Sequence, residues 1–188
     1  MSLIARRTLL YSFGVASVTP LLGWPTAATS RVVVAKSEEN RFSYGSAQQA
    51  SLSPCKLTGE DSAGTLSIFE LNVLPRTGTV RHVHHREDEW FYVLSGEFIF
   101  EAGKEKYSLS VGGSIWLPRD IPHVFANTTE AVGKLIAICQ PGGFEKFLDE
   151  LGNTPAGQMN EARMEEVMAK YGMEYLGPPL LGSWRHQH

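Results

Sequence analysis

Cysteine occurs only twice in the 188 residues, at Cys55 and Cys139. That is too few for a disulfide-stapled scaffold, and the pair lacks the Cys-x-x-Cys spacing of a thiolate metal site or a redox centre. Cys139 lies inside the apolar run Leu135 to Cys139 and reads as a core residue, so a Cys55–Cys139 disulfide is not expected. Basic charge is not in excess either. Lys and Arg number 17 against 20 Asp and Glu, which argues against nucleic acid as a partner. No segment reaches the roughly 20 apolar residues that a spanning helix needs; the stretch from about Leu9 to Leu22 falls short. His-Glu-x-x-His, a glycine-rich phosphate loop, internal repeats and low-complexity tracts are all missing. Gly112-Gly113-Ser114-Ile115-Trp116 reads as the start of a strand, not as a nucleophile elbow.

What is present begins with an address. Arg6-Arg7, the apolar stretch after them and the small residues Thr26-Ala27-Ala28 read as an export signal over residues 1–28. It is twin-arginine-like, although Ala5 stands where Ser or Thr is usual, so the Sec route stays open. Its removal takes two of the 17 basic side chains and none of the 20 acidic ones, leaving 15 against 20 and a formal charge of −5. An exported protein is expected, periplasmic or secreted, with no stable membrane span after cleavage.

Residues 29–188 have the length and the apolar content of one globular domain. From Arg31 to Gln140 short β-rich runs alternate with turn signals: 31–35, 52–57, 65–74, 79–84, 90–94, 97–101, 106–110, 114–117, 124–127 and 134–139. Many short strands at even spacing predict an all-β sandwich or barrel. Ser95-Gly96, Ala102-Gly103-Lys104 and Gly112-Gly113 are read as its hairpin turns. After Pro141-Gly142-Gly143 the apolar period becomes helical, with Phe144, Phe147, Leu148 and Leu151 on one stripe. A second helix is expected over about 160–170, then an extended Gly-Pro-Pro tail at 177–179. Both helices read as packing elements of a C-terminal extension over 143–188.

Histidine is the residue whose distribution is uneven. Four of the six lie in two short segments, His82-Val-His84-His85 and His123; the others are His186 and His188, at a terminus that reads as frayed. In a strand, residues two apart share a face, so His82 and His84 project together and His85 projects away as a surface group. Glu89 opens the following strand, and an antiparallel neighbour can bring its carboxylate alongside. His123, stiffened by Pro118 and Pro122, is the natural fourth ligand. Three imidazoles and a carboxylate suit one divalent first-row transition metal (Fe, Mn, Ni, Co or Zn) and disfavour calcium.

These residues are similar to the two sequence motifs of the cupin superfamily. The first appears as His82, His84, Glu89 and Gly96, the second as Gly112, Pro118, His123 and Asn127. Arg76 stands where the first motif expects Gly, and Asp120 replaces the Gly of Pro-x-Gly. Both departures concern turns, and Asp tolerates positive φ better than most residues. The resemblance covers about residues 60–145 and implies a double-stranded β-helix, or jelly roll, with His82, His84, Glu89 and His123 as metal ligands. The Pro-Gly-Gly-Phe and Gly-Pro-Pro segments resemble those of quercetinase-type cupins. The likeness thus implies a metal-dependent dioxygenase acting on a phenolic or enolic small molecule such as a flavonol, with Glu89 as base. It also implies a homodimer. A non-catalytic exported cupin that binds metal or a small molecule is the alternative, and a sugar isomerase or epimerase ranks behind both. On strand alternation, Phe91, Phe125 and Asn127 are the candidate substrate-pocket residues, while Trp90 and Tyr92 face the other way.

Overall fold

Along β-strands the core is built by every second residue, and the burial of this chain follows that period. Residues 31–37 and 39–181 are described in a computed structural model; the export signal and the terminal residues 185–188 lie outside the described residues. The elements are α1 (Ala47–Leu52), β1 (Cys55–Leu57), β2 (Ser67–Val73), β3 (Arg81–His84), β4 (Asp88–Ser95), β5 (Phe98–Ala102), β6 (Glu105–Leu109), β7 (Ser114–Leu117), β8 (His123–Asn127), β9 (Gly133–Gln140), α2 (Glu145–Asn153), α3 (Glu161–Lys170) and β10 (Met173–Gly177). Two antiparallel five-stranded sheets form, one in the order β1-β2-β9-β4-β7 and the other β10-β3-β8-β5-β6. This is the expected all-β jelly roll with short helices.

The chain changes sheet at nearly every step from β2 to β9, which corrects the expected hairpins. Only Ala102-Gly103-Lys104 joins strands that pair, β5 and β6. Ser95-Gly96 and Gly112-Gly113 are corners that carry the chain from one sheet to the other. Alternate side chains therefore meet in the middle: Phe69, Phe91, Phe98, Phe100 and Phe125 are each at most 3% exposed. Their rings pack in tilted and edge-on pairs, such as Phe91–Phe125 at 5.3 Å, the arrangement that aromatic quadrupoles prefer.

Two further expectations fail for local reasons. Residues 31–35 form no strand; Val32 is 92% exposed, because β-propensity without a partner edge stabilises nothing. The run at 52–57 is split, its front ending helix α1 and only Cys55–Leu57 pairing with β2. The C-terminal segment is a true strand, β10, paired with β3 in the register Met173↔His84 and Tyr175↔His82. The two cysteines are free and buried, as expected.

The departures from the motif glycines are absorbed by the backbone. Arg76 adopts φ 55° and Asp120 φ 63°, the left-handed conformation those turns require. Gly78 is different: a Cβ there would lie 1.9 Å from the carbonyl oxygen of Phe125, so the close approach of residues 77–79 to β8 admits only glycine.

Helix α2 is fastened at its start by buried Glu145. Its Oε1 accepts from the Gly59 amide at 2.9 Å and its Oε2 from the Ser67 hydroxyl at 2.6 Å. Helix α3 is capped by Asn160, whose side chain accepts from the Arg163 amide. Glu150 of α2 binds Arg163, Lys170 and the Tyr171 hydroxyl, tying the two helices together.

Candidate metal centre

His82 and His84 leave β3 on the face that looks into the barrel, and pairing of His82 with His123 brings in the third imidazole from β8. Glu89 arrives from the opposite side. The expected antiparallel pairing of its strand with β3 does not occur: β4 lies in the other sheet and points Glu89 across the barrel. All four side chains are at most 6% exposed. Their inward atoms lie within 4.8 Å of one another, with His82 Nε2 to His84 Nε2 at 3.1 Å, His123 Nε2 to Glu89 Oε2 at 3.0 Å and His84 Nε2 to Glu89 Oε2 at 3.4 Å. Ligands about 2.1 Å from a common ion would be about 3.0 Å apart when adjacent.

The outer nitrogens fix what the inner ones offer. His82 Nδ1 donates to the Val80 carbonyl at 2.8 Å and His123 Nδ1 to the Ile121 carbonyl at 2.9 Å. His84 Nδ1 faces Glu87 at 3.5 Å. With Nδ1 carrying the proton, each Nε2 presents a lone pair to the centre, the orientation that outer hydrogen bonds impose on metal-bound histidine. Lone pairs and a carboxylate packed this closely repel unless a cation lies among them. The donor set therefore fits a divalent ion, and this cluster of three histidines and one glutamate could hold one.

The electrostatics agree. Burial pushes the His82 imidazole well below its usual range, helped by His123 and His84. Burial also disfavours charge on His84 and Glu89, but their mutual attraction outweighs it, raising His84 and holding Glu89 below the usual carboxylate range. A proton on His84 is thus the natural competitor of a metal, and binding strengthens as that proton leaves.

Around the cluster, Asp88 forks onto Arg119, with Nη2 to Oδ2 at 2.7 Å, and accepts from the Arg119 amide at 2.8 Å. That guanidinium holds the Asp88 carboxyl down at about 2 and pins the turn ahead of His123. The Asp120 amide donates to the His84 carbonyl at 2.7 Å. His85 projects outward as expected, 2.7 Å from Asp120.

Glu89 has one partner that the sequence did not suggest. While Oε2 faces the histidines, Oε1 lies 3.6 Å from the Cys139 thiol, which is fully buried beside it on β9. The thiol donates to the outer oxygen and leaves the inner one free. Cys139→Val is expected to weaken zinc or cobalt binding about 10-fold to 100-fold, the range for outer-shell partners, whereas Cys139→Ser keeps a donor and much of the affinity. Chelator competition on both variants measures this; equal affinity in Cys139→Val would remove the role.

A cavity of about 180 Å³ opens from this centre. His82, Glu89, Phe91 and Phe125 are among the residues that line it. Asn127 is not. It is fully buried, its amide donating to the carbonyls of Val73, Leu74 and Ala131 and its oxygen accepting from Thr129; on β8 it stands too far along the strand and serves the loops. The helices correct a second expectation, since Phe144, Leu148 and Leu151 of the α2 stripe form one cavity wall, and Gln49 and Ser53 beside α1 form another part. Ser46, accepting from the Gln49 amide, marks the start of α1; the spacing Ser-x-x-Gln was the available signal.

The family comparison accords with this geometry. Residues 69–139 match the cupin domain. Over 80 residues, the chain is 30% identical to the HTH-type transcriptional regulator PuuR of Escherichia coli, covering 43% of each chain, so it spans less than half of that curated relative. Among solved structures, TT1209 from Thermus thermophilus is 26% identical over 42% of this chain and 74% of its own, with a TM-score of 0.40. A double-stranded β-helix protein from Klebsiella pneumoniae is 19% identical over 56% and 86%, with a TM-score of 0.44. The cupin match runs from Phe69 in β2 to Cys139 in β9 and so encloses all four residues of the metal cluster.

Proposed function

We propose that this protein is an exported, mononuclear metal-dependent cupin that acts as a dioxygenase on a small phenolic or enolic molecule. The observation that carries this reading is the convergence of His82, His84, Glu89 and His123 beside a largely apolar cavity that His82 and Glu89 line. A divalent ion held there would supply Lewis acidity toward a substrate oxygen. The chain's own residues do the rest: Phe91, Phe125 and Phe144 exclude water and bracket a flat ring, and Glu89 Oε2 takes the hydroxyl proton. The cavity is walled chiefly by apolar and aromatic side chains, which suits a flat ring. Among the described residues its lining has neither Lys nor Arg, which counts against a sugar phosphate.

The second reading, a cupin that binds its ligand without turnover, draws on the likeness to a transcriptional regulator. Metal analysis of the exported chain, followed by oxygen uptake with phenols and enols, separates the two. Close to one ion per chain and oxygen consumption are expected. Glu89→Gln should lower turnover about 100-fold or more, within the usual effect of losing a general base; metal-loaded protein that never consumes oxygen leaves the binding reading.

A further inference from the structure

Part of the cavity lining is polar. Gln49 and Ser53 both line it although they are only 6% and 7% exposed. The Gln49 amide nitrogen donates to the Ser53 hydroxyl at 3.1 Å, and among the described residues the amide oxygen meets no donor. That oxygen is left open to an incoming donor, since it is not among the buried atoms that lack a partner. The amide is held from behind: Gly152 of α2 lies so close that a Cβ would come within 2.5 Å of Gln49 Cβ. Phe69, Leu71, Phe144, Leu148 and Leu151 form an apolar wall, and Asn72, Thr77 and Thr79 also border the space. Among the described residues, Glu89 and His82 are the only ionisable side chains that line the cavity.

We infer that Gln49 and Ser53 form a second recognition subsite, which takes an uncharged hydrogen-bonding group, a hydroxyl or an amide, at the end of the substrate remote from its metal-facing oxygen. This rests on the phenolic or enolic reading above and narrows it to rings with a neutral polar tail. The Gln49 oxygen accepts from that tail and the Ser53 hydroxyl donates to it, while a carboxylate tail finds no cation and is rejected.

The test uses the full chain loaded with cobalt(II), whose visible absorption reports binding at the histidines. The probes are 4-methylphenol, 4-(hydroxymethyl)phenol and 4-hydroxyphenylacetate. The hydroxymethyl compound is expected to bind about 10-fold tighter than the methyl one, and the carboxylate weakest. Gln49→Leu should bring the first two within about twofold by weakening only the hydroxymethyl probe. Gly152→Ala, which displaces the Gln49 stem, should do the same with Gln49 intact. Equal affinities in the native chain, tightest binding of the carboxylate, or equal weakening of both neutral probes by Gln49→Leu would overturn the subsite. If no probe perturbs the cobalt spectrum, the phenolic reading itself fails, and the subsite with it.

Discussion

His123→Ala is expected to leave the protein folded and without its metal. His123 supplies one of four inward donors, and its Nε2 stands 3.0 Å from Glu89 Oε2. Losing an inner ligand should exceed the roughly 10-fold to 100-fold cost of losing an outer partner. A ligand present at 1,000 times its Kd stabilises the folded state by about 4 kcal/mol. Zinc or cobalt should therefore raise the melting temperature of the native protein by several degrees and leave that of His123→Ala nearly unchanged. Chelator competition gives the affinity directly. A variant that retained one tightly bound ion per chain would show that the cluster is not the metal centre.

The second large effect is on stability alone. Asn127 is fully buried at the end of β8, where its amide serves the Val73, Leu74 and Ala131 carbonyls and its oxygen receives the Thr129 amide and hydroxyl. Asn127→Leu keeps the branched shape of the side chain and removes both ends of this network. Each buried group left unpaired costs about 1–3 kcal/mol, and part of that is recovered by relaxation, so a loss of about 3–4 kcal/mol is expected. Urea unfolding of the metal-free chain measures it. Because Asn127 does not line the cavity, metal affinity in the folded protein should not change. A loss below about 1 kcal/mol, or a change in metal affinity with no loss of stability, would contradict this assignment.

The contrast between His123 and Asn127 shows what strand periodicity can reveal. Both lie on the same face of β8, and alternation groups them together, yet one ends in the site and the other in a loop junction four residues along. Alternation gives the side of a strand but not the position along the barrel axis. The same limit explains Glu89. A short connection between β3 and β4 reads as a hairpin in sequence, and only the closure of two sheets makes it a corner that throws the carboxylate across the barrel. The inward pairing of His82 with His84, and the outward turn of His85, needed nothing beyond a period of two, and they came out as expected. Helix α1 has no apolar stripe to announce it, since Gln49 is its one buried residue. Cys139 was legible as a core residue but not as a partner of Glu89, because that contact spans 50 positions. The α2 stripe was legible as apolar, but whether it faces a core or a cavity depends on how much space lies beneath it.

The pairing of β10 with β3 bears on how the site comes into being during synthesis. The strand that carries His82 and His84 has β8 on one side and, on the other, a segment that begins only at Met173. Until that segment leaves the ribosome, the backbone of the histidine strand is an open edge, able to join any other unpaired strand. Helix α3, which packs against β10, delivers it as the final element. The chain thus completes its histidine strand with a segment far downstream of it, and assembly of the site waits until residues 173–177 have been made.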